Sequence, residues 1–542
     1  MSTGSIKNRT HEGVKPFTQI AGVGLPIDRS KLLLWFRLGA AAYFIYFYFS
    51  VQVASMEIFM ALLVLAFLSL LPAYLWCAGK AHGLPIVPIF ALGMFPAYIL
   101  PIQTDSKVLV GYDAQLQLKA ILCACALVFI MTLIWHQMCN RISQGPPKCR
   151  MMSPAANWLL MVFMISGLLF QVAGFLFFKY NSGIFTLARG YTSNGATLAL
   201  FLFCFQFGEG KLAKPIQWTM FAAVAAQIIV DSTSFILAGT LVKLGTIFAG
   251  YSLGSQKIPW KPALAALGVL TVLHAGKADM RLAYWKEGSG DVDYSLAEYP
   301  RILAEWVQAG FSTLQTGKTK SADEQAAASE RAAMVPVFLR VLSMTPAKVP
   351  YLDGETYKPI PSLLIPRILN KEKGVAHIGN WIMGYLYEFV GLEELGKTSV
   401  GFDLMIESYA NYGIPGVLGL ALVLGFFYGW VAIVSNGVPL LSFRFLFAVS
   451  VLTGTLASNN TAGVFVTTIW QGFLALCTLS LLAMRTLPNP LYVTPGGPRA
   501  IGARGPNPGG AGPETEKTNA DIEQSQVRHE RPTRFVYGKK KD

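Results

Sequence analysis

Stretches of largely apolar residues recur along this chain, near 32–52, 56–78, 84–102, 117–137, 155–178, 195–209, 215–236, 238–254, 259–277, 409–434, 439–457 and 461–484. Most are about 20 residues long, the length a helix needs to cross a hydrocarbon core. Composition agrees: 53% of the 542 residues are hydrophobic and 14% charged, against roughly 25% charged in soluble chains. The expected fold class is an all-α polytopic membrane protein with about 12 transmembrane helices. Between the seventh and eighth stretches only Asp231-Ser-Thr-Ser-Phe235 intervenes, so these two are a bent hairpin or include a re-entrant segment. Nothing in residues 1–31 has the pattern of a cleaved signal peptide.

Cations fix the expected orientation, because Lys and Arg concentrate on cytoplasmic links. With the N-terminus inside, the inside links carry Lys80, then Arg141, Lys148 and Arg150, then Lys211 and Lys214, then Lys257 and Lys261, then Arg444. The tail adds Arg499, Arg504, Arg528, Arg531, Arg534 and a terminal Gly-Lys-Lys-Lys-Asp. The net charge of +14 is therefore topological, and no nucleic-acid partner is implied. The expected organisation is a cytoplasmic segment 1–31, spans one to nine over 32–277, a large outer loop 278–400, spans ten to twelve over 401–484, and a basic cytoplasmic tail 485–542. The tail is rich in Pro, Gly and polar residues and is expected to be disordered. The seven cysteines sit in apolar runs or inside links and imply neither a disulfide framework nor a metal pair.

The loop before span ten is too long for a plain connector. It is expected to be mainly helical. Tyr299–Gln315 places Ile302, Leu303, Trp306, Val307, Phe311 and Leu314 at helical spacing, a stripe that reads as packing. Ser321-Ala-Asp-Glu324 has the form of a capping box opening a second helix that ends at Thr345-Pro346. From Gly276 to Ser399 there are 14 Lys and Arg against 15 Asp and Glu, so single arginines matter rather than a diffuse patch. Arg281, Arg340 and Arg367 lie in this loop, and Arg189 in an earlier outer link. The planar guanidinium suits bidentate contact with a pyrophosphate; the bland alternative for each is snorkelling or a surface ion pair.

The order GKADMRLAYW, RVLSMTPAKVPYLDGETYK, LIPRILNKEKG and IESYANYGIPG, on a many-span chain with one large late outer loop, resembles the Wzy-type O-antigen and exopolysaccharide repeat-unit polymerases. The resemblance implies an architecture like the GT-C glycosyltransferases. It also implies an inner-membrane enzyme that polymerises undecaprenyl-pyrophosphate-linked oligosaccharide repeat units at the periplasmic face, with a chain-length regulator as a possible partner. Many members carry a Ser-Arg pair entering a span after an outer turn. The Asp231–Phe235 turn has no Arg, so phosphate binding is not expected there.

Transfer of a glycan from a polyprenyl pyrophosphate needs a cationic clamp on the leaving group and a base for the acceptor hydroxyl. The clamp candidates are Arg189, Arg281, Arg340 and Arg367. Glu407 and His377 are the candidates for the base, with Glu407 alternatively capping the N-terminus of span ten. Tyr357, Trp381, Tyr409 and Asn411 are candidates for acceptor and sugar contact, the aromatics alternatively forming an interfacial belt. Asp231 is a functional acid or a turn acid. Gly413, Pro415 and Gly416 read as a device that kinks or closely packs the start of span ten. No metal set or cofactor motif is seen, and a metal-independent reaction is expected. A lipid-oligosaccharide flippase, an O-antigen ligase and a non-catalytic export component are the alternatives.

Overall fold

A computed structural model describes residues 29–491, apart from 54, 106–108, 141–144, 154–155, 177–182, 236, 285–293, 295, 317–332, 366–368, 371–372, 395–399 and 456–459. In chain order the helices are α1 (Arg29–Ser50), α2 (Met56–Cys77), α3 (Ile86–Leu92) continuing through a π turn into α4 (Leu100–Gln103), α5 (Ala114–Cys139), α6 (Asn157–Leu176), α7 (Gly183–Gly208), α8 (Lys214–Ser232), α9 (Ala238–Ser255) and α10 (Trp260–Tyr284). Then follow α11 (Tyr299–Thr316), α12 (Val335–Met344), α13 (Ile360–Leu364), α14 (Ile378–Leu386), α15 (Leu404–Ser435), α16 (Phe443–Thr455) and α17 (Ala462–Ala483). Seven of these segments, α1, α2, α3 with α4, α5, α10, α15 and α17, are long and apolar enough to cross a membrane. The protein is thus a mostly helical, multi-pass membrane protein.

Short links reverse the chain, so the bundle has two ends. At the loop end, Gln52 N donates to Gln103 O at 2.8 Å, Met334 N to Ala97 O at 2.9 Å and Leu352 N to Ala410 O at 3.0 Å. At the opposite, basic end, β1 (Lys148–Met152) pairs antiparallel with β2 (Met484–Pro488). Asn489 N also donates to Pro147 O at 2.8 Å. The strand β2 lies in what the sequence assigns to the tail: Arg485–Asn489 is ordered against the α5–α6 link. Residues 492–542 of that predicted tail are outside the described residues.

The core runs along α15. This helix lies against α5 over much of its length, and Gly425 and Gly429 permit the approach. A Cβ on Gly425 would sit 2.9 Å from Ile134 Cβ, and one on Gly429 2.8 Å from Met138 Cβ. Small residues four apart are the usual means of close helix contact in lipid, where apolar burial gives little drive. The Asp231–Phe235 break separates two distinct helices, α8 and α9, with Phe235 at φ 55°.

Two sequence expectations shift. The residues around Arg189, expected in an outer link, lie within α7. Their polar groups are satisfied inside the helix: Thr192 Oγ1 donates to Ala188 O at 2.8 Å and Asn194 Nδ2 to Gly190 O at 2.8 Å. Likewise α10 continues past residue 277 to Tyr284, so Arg281 belongs to a helix end rather than a loop. The predicted stripe on α11 packs over its first half only, Phe311 and Leu314 being exposed. Ile302 and Trp306 are buried with Phe235 and Met280 in a small separate cluster, and Trp306 Nε1 donates to Leu273 O at 2.7 Å.

Candidate functional site

Asp403 begins the site. It is the N-cap of α15, its Oδ1 accepting from Ile406 N at 2.8 Å, and Tyr98 Oη donates to its other oxygen. Burial pushes the Asp403 carboxyl up to about 6, against those hydrogen bonds. Because Asp403 caps its own helix, the capping role considered for Glu407 is already filled.

Glu407, one turn on, is fully buried and serves a different helix. Its Oε2 accepts from Ala462 N at 2.5 Å, an otherwise unsatisfied donor in the first turn of α17. The other oxygen, Oε1, meets no donor at hydrogen-bonding geometry among the described residues, although the Thr356 hydroxyl lies against the same carboxylate. Gly379 of α14 makes room for it: a Cβ there would stand 3.1 Å from Oε1 and 3.4 Å from Thr461 Cβ. Thr461 Oγ1 is likewise buried without a partner among the described residues. A buried carboxylate oxygen left without a hydrogen bond costs free energy.

Asn411 shares this face of α15, four residues along. Its Nδ2 donates to Thr356 Oγ1 and to Glu407 O, both at 2.8 Å, while its Oδ1 accepts from Gly354 N at 2.9 Å. It is therefore fully engaged in holding the 351–357 turn over the helix. Two residues past it, Gly413 adopts φ 64°, ψ −146°, breaking α15 just before Pro415. The expected kink is present, and it sets Met405–Tyr412 apart as a short separate helical piece.

Beside this piece lies a cavity of about 460 Å³ lined by Tyr357, Ser408, Tyr412, Gly416, Leu420 and Ala462, among others. The upper wall is polar, with Tyr357 Oη and Ser408 Oγ 2.9 Å apart. Burial, reinforced by the Glu407 carboxylate, raises the Tyr357 phenol. Below, the wall follows the apolar face of α15. Ala462 lines the cavity and also bonds Glu407, so the carboxylate stands directly behind the wall.

Of the other sequence candidates, Tyr409 is a correction. At about 100° per residue it points some 200° away from Glu407 and is buried against Phe338, with Lys119 Nζ 5.2 Å from its ring centroid. It packs the α5–α12–α15 junction and is no exposed sugar platform. His377 precedes α14, exposed, its carbonyl accepting from Trp381 N at 3.1 Å; Trp381 is half-buried one turn on.

The arginines do not converge on Glu407 in the contacts described. Arg340 pairs with Glu388 and donates from Nε to Tyr387 O at 3.3 Å. Arg281 donates to Phe235 O at 2.9 Å, bringing a guanidinium to the turn whose own sequence lacks one. Arg189 is exposed on α7, and Arg367 lies outside the described residues. Asp231 is neither cap nor lone acid: it accepts from Lys243 at 2.5 Å and from Gln171 Nε2 at 2.9 Å across three helices. Sequence reasoning missed Asp403, Thr356 and Thr461. The Asp at 403, directly before the apolar start of α15, carried a capping signal; the two threonines carried none.

Fold and site together define a multi-pass helical membrane protein with a buried carboxylate beside a largely apolar cavity at its loop end. No family model, curated protein or solved structure matches the chain.

Proposed function

We propose that the chain is a membrane glycosyltransferase that polymerises lipid-linked oligosaccharide repeat units. The observation that carries the reading is Glu407: one oxygen fixed by the Ala462 N–H, the other without a hydrogen bond of good geometry among the described residues, behind the wall of a largely apolar cavity whose few polar groups include Tyr357 and Ser408. Such a cavity suits an amphiphile whose sugars lie at the membrane surface and whose isoprenoid chain runs down the helix. All twelve apolar helical segments then span the inner membrane with both chain ends cytoplasmic, and the loop end faces the periplasm.

In the reaction, an acceptor hydroxyl attacks the anomeric carbon of the donor. The bond from that carbon to the pyrophosphate oxygen breaks, the pyrophosphate leaves with the electron pair, and the hydroxyl proton passes to Glu407 Oε1. Gly379 and Ala462 seal the carboxylate in the form described, which keeps water from the site; acceptor binding requires α14 to move away from α17. Tyr357 and Ser408 hold the acceptor sugar. Stabilisation of the leaving pyrophosphate falls to a loop-end arginine other than Arg340, whose fork is engaged by Glu388 and Tyr387 O; Arg367, which lies outside the described residues, is the candidate.

The test is a host making the lipid-linked repeat unit but lacking its own polymerase, complemented with the chain or with Glu407→Gln. The wild type is expected to yield long-chain glycan. Glu407→Gln, which retains an acceptor for Ala462 N–H, is expected to leave single repeat units exposed at the outer face. Full-length chains from Glu407→Gln would overturn the assignment of the base. Repeat units trapped at the inner face would favour the flippase reading instead.

A further inference from the structure

Near the basic end a second cavity, of about 580 Å³, lies between α1, α3, α7, α9 and α16. Its long wall is α9, where Leu241, Gly245, Phe248, Ala249 and Ser252 line it. These residues recur at i, i+4, i+7, i+8 and i+11, on one face, so the slot follows the helix axis for about 16 Å at 1.5 Å per residue. The lining is apolar save for a few hydroxyls, and Ser252 Oγ is buried without a partner among the described residues. A long apolar slot running with a membrane helix fits an extended hydrocarbon chain rather than a compact polar solute.

Cations flank the lower lining residues in the sequence, Lys80 with its ammonium 5.7 Å from the Tyr74 ring centroid. Arg29 lies one turn before the lining residue Leu32, Lys80 four residues before Leu84, and Lys257 next to Ile258, all three partners lining the cavity. The Arg29 guanidinium packs directly on Gly79, in the same link as Lys80. Lys261 follows, 5.5 Å from the Trp260 ring centroid. The segments 29–32, 78–85 and 256–261 contain no Asp or Glu, Asp28 directly preceding Arg29 being the nearest acid in sequence, and Lys31 adds a further cation to the first.

We infer that this cavity is a lipid site: it holds one acyl chain of an anionic glycerophospholipid, whose phosphate is met by Arg29, Lys80 and Lys257. The chain supplies affinity through apolar burial, and the rim selects the headgroup. Each surface cation is worth about fivefold in affinity for an anionic headgroup, about a hundredfold for three. This site is on the opposite end of the bundle from Glu407 and does not depend on the glycosyltransferase reading.

The purified protein in detergent, titrated with phosphatidylglycerol or phosphatidylcholine of equal chain length and read by native mass spectrometry, tests it. Wild type is expected to retain one phosphatidylglycerol in strong preference to phosphatidylcholine, with a higher melting temperature when it is bound. Gly245, around whose Cβ position nothing lies within 4 Å, opens onto the slot. Gly245→Leu is expected to abolish retention without lowering the melting temperature of the lipid-free protein. Arg29→Gln/Lys80→Gln/Lys257→Gln is expected to keep a bound lipid but lose the headgroup preference. Equal retention of the two lipids by wild type would overturn the inference, as would unchanged retention by Gly245→Leu. Should Gly245→Leu fail to fold, Ala249→Leu on the same wall replaces it, and the wild-type selectivity stands as an independent reading.

Discussion

Gly413→Ala isolates the break in α15. The residue sits at φ 64°, ψ −146°, close to the region of backbone space that is essentially restricted to glycine. Placing an L side chain there costs about 1–3 kcal/mol. The new methyl would also stand 2.9 Å from Tyr351 Oη and 3.0 Å from two ring carbons, closer than carbon atoms pack, so the ring must shift at a further cost of about 1 kcal/mol. The expected loss is therefore about 2–4 kcal/mol, read as a lowered melting temperature in detergent. The comparison is Gly268→Ala on α10, where nothing lies within 4 Å and the helix should gain about 0.5–1 kcal/mol. Tyr351→Ala in the Gly413→Ala background should recover the contact part only, because the backbone part remains. If Gly413→Ala melts with Gly268→Ala, the kink is not held by the glycine and the reasoning fails.

Other outcomes follow from the ion pairs and caps. Lys243→Met leaves the partly buried Asp231 with Gln171 but without its cation and should cost about 1–3 kcal/mol, most of it restored in Asp231→Asn/Lys243→Met; melting of the single and double variants checks this. Arg340→Ala removes a partly exposed pair with Glu388 and should cost no more than about 1 kcal/mol; with its fork engaged by Glu388 and Tyr387 O, it should also leave glycan length unchanged in the complementation assay. Asp403, its carboxyl raised to about 6, holds a proton in the folded state that the unfolded chain loses from about pH 4. Its contribution is therefore most favourable below about pH 4 and declines by roughly 3 kcal/mol as pH rises to about 6. Asp403→Asn keeps a capping oxygen, so the difference between its melting curve and that of wild type should grow across that interval in the variant's favour.

The helical membrane class was legible because hydrocarbon length and backbone satisfaction leave so few alternatives, and the Gly413–Pro415 kink because those residues have specific backbone effects. What failed were inferences from polarity about depth. Thr192 and Asn194 looked like a link, yet hydroxyl and amide groups can bond their own helix, so α7 continues through Arg189. Tyr409 looked like a companion of Glu407, although two residues along a helix separate faces widely. The fate of Glu407 was illegible for another reason: the donor it meets, Ala462 N, lies 55 positions away and is a backbone group that no side-chain pattern announces.

The pairing of β1 with β2 bears on how the chain is made. Lys148–Met152 leaves the ribosome some 330 residues before its partner Met484–Pro488, so that edge stays open while every later helix is inserted. Asn489 then fastens the closure, its Nδ2 donating to Pro146 O at 2.9 Å and Gly437 O at 3.0 Å. The strand thus reports on synthesis, formed only by a chain that has been made through α17 and β2. A fusion or truncation made directly after Ala483 would remove it, whereas one made after Leu491 would leave it intact.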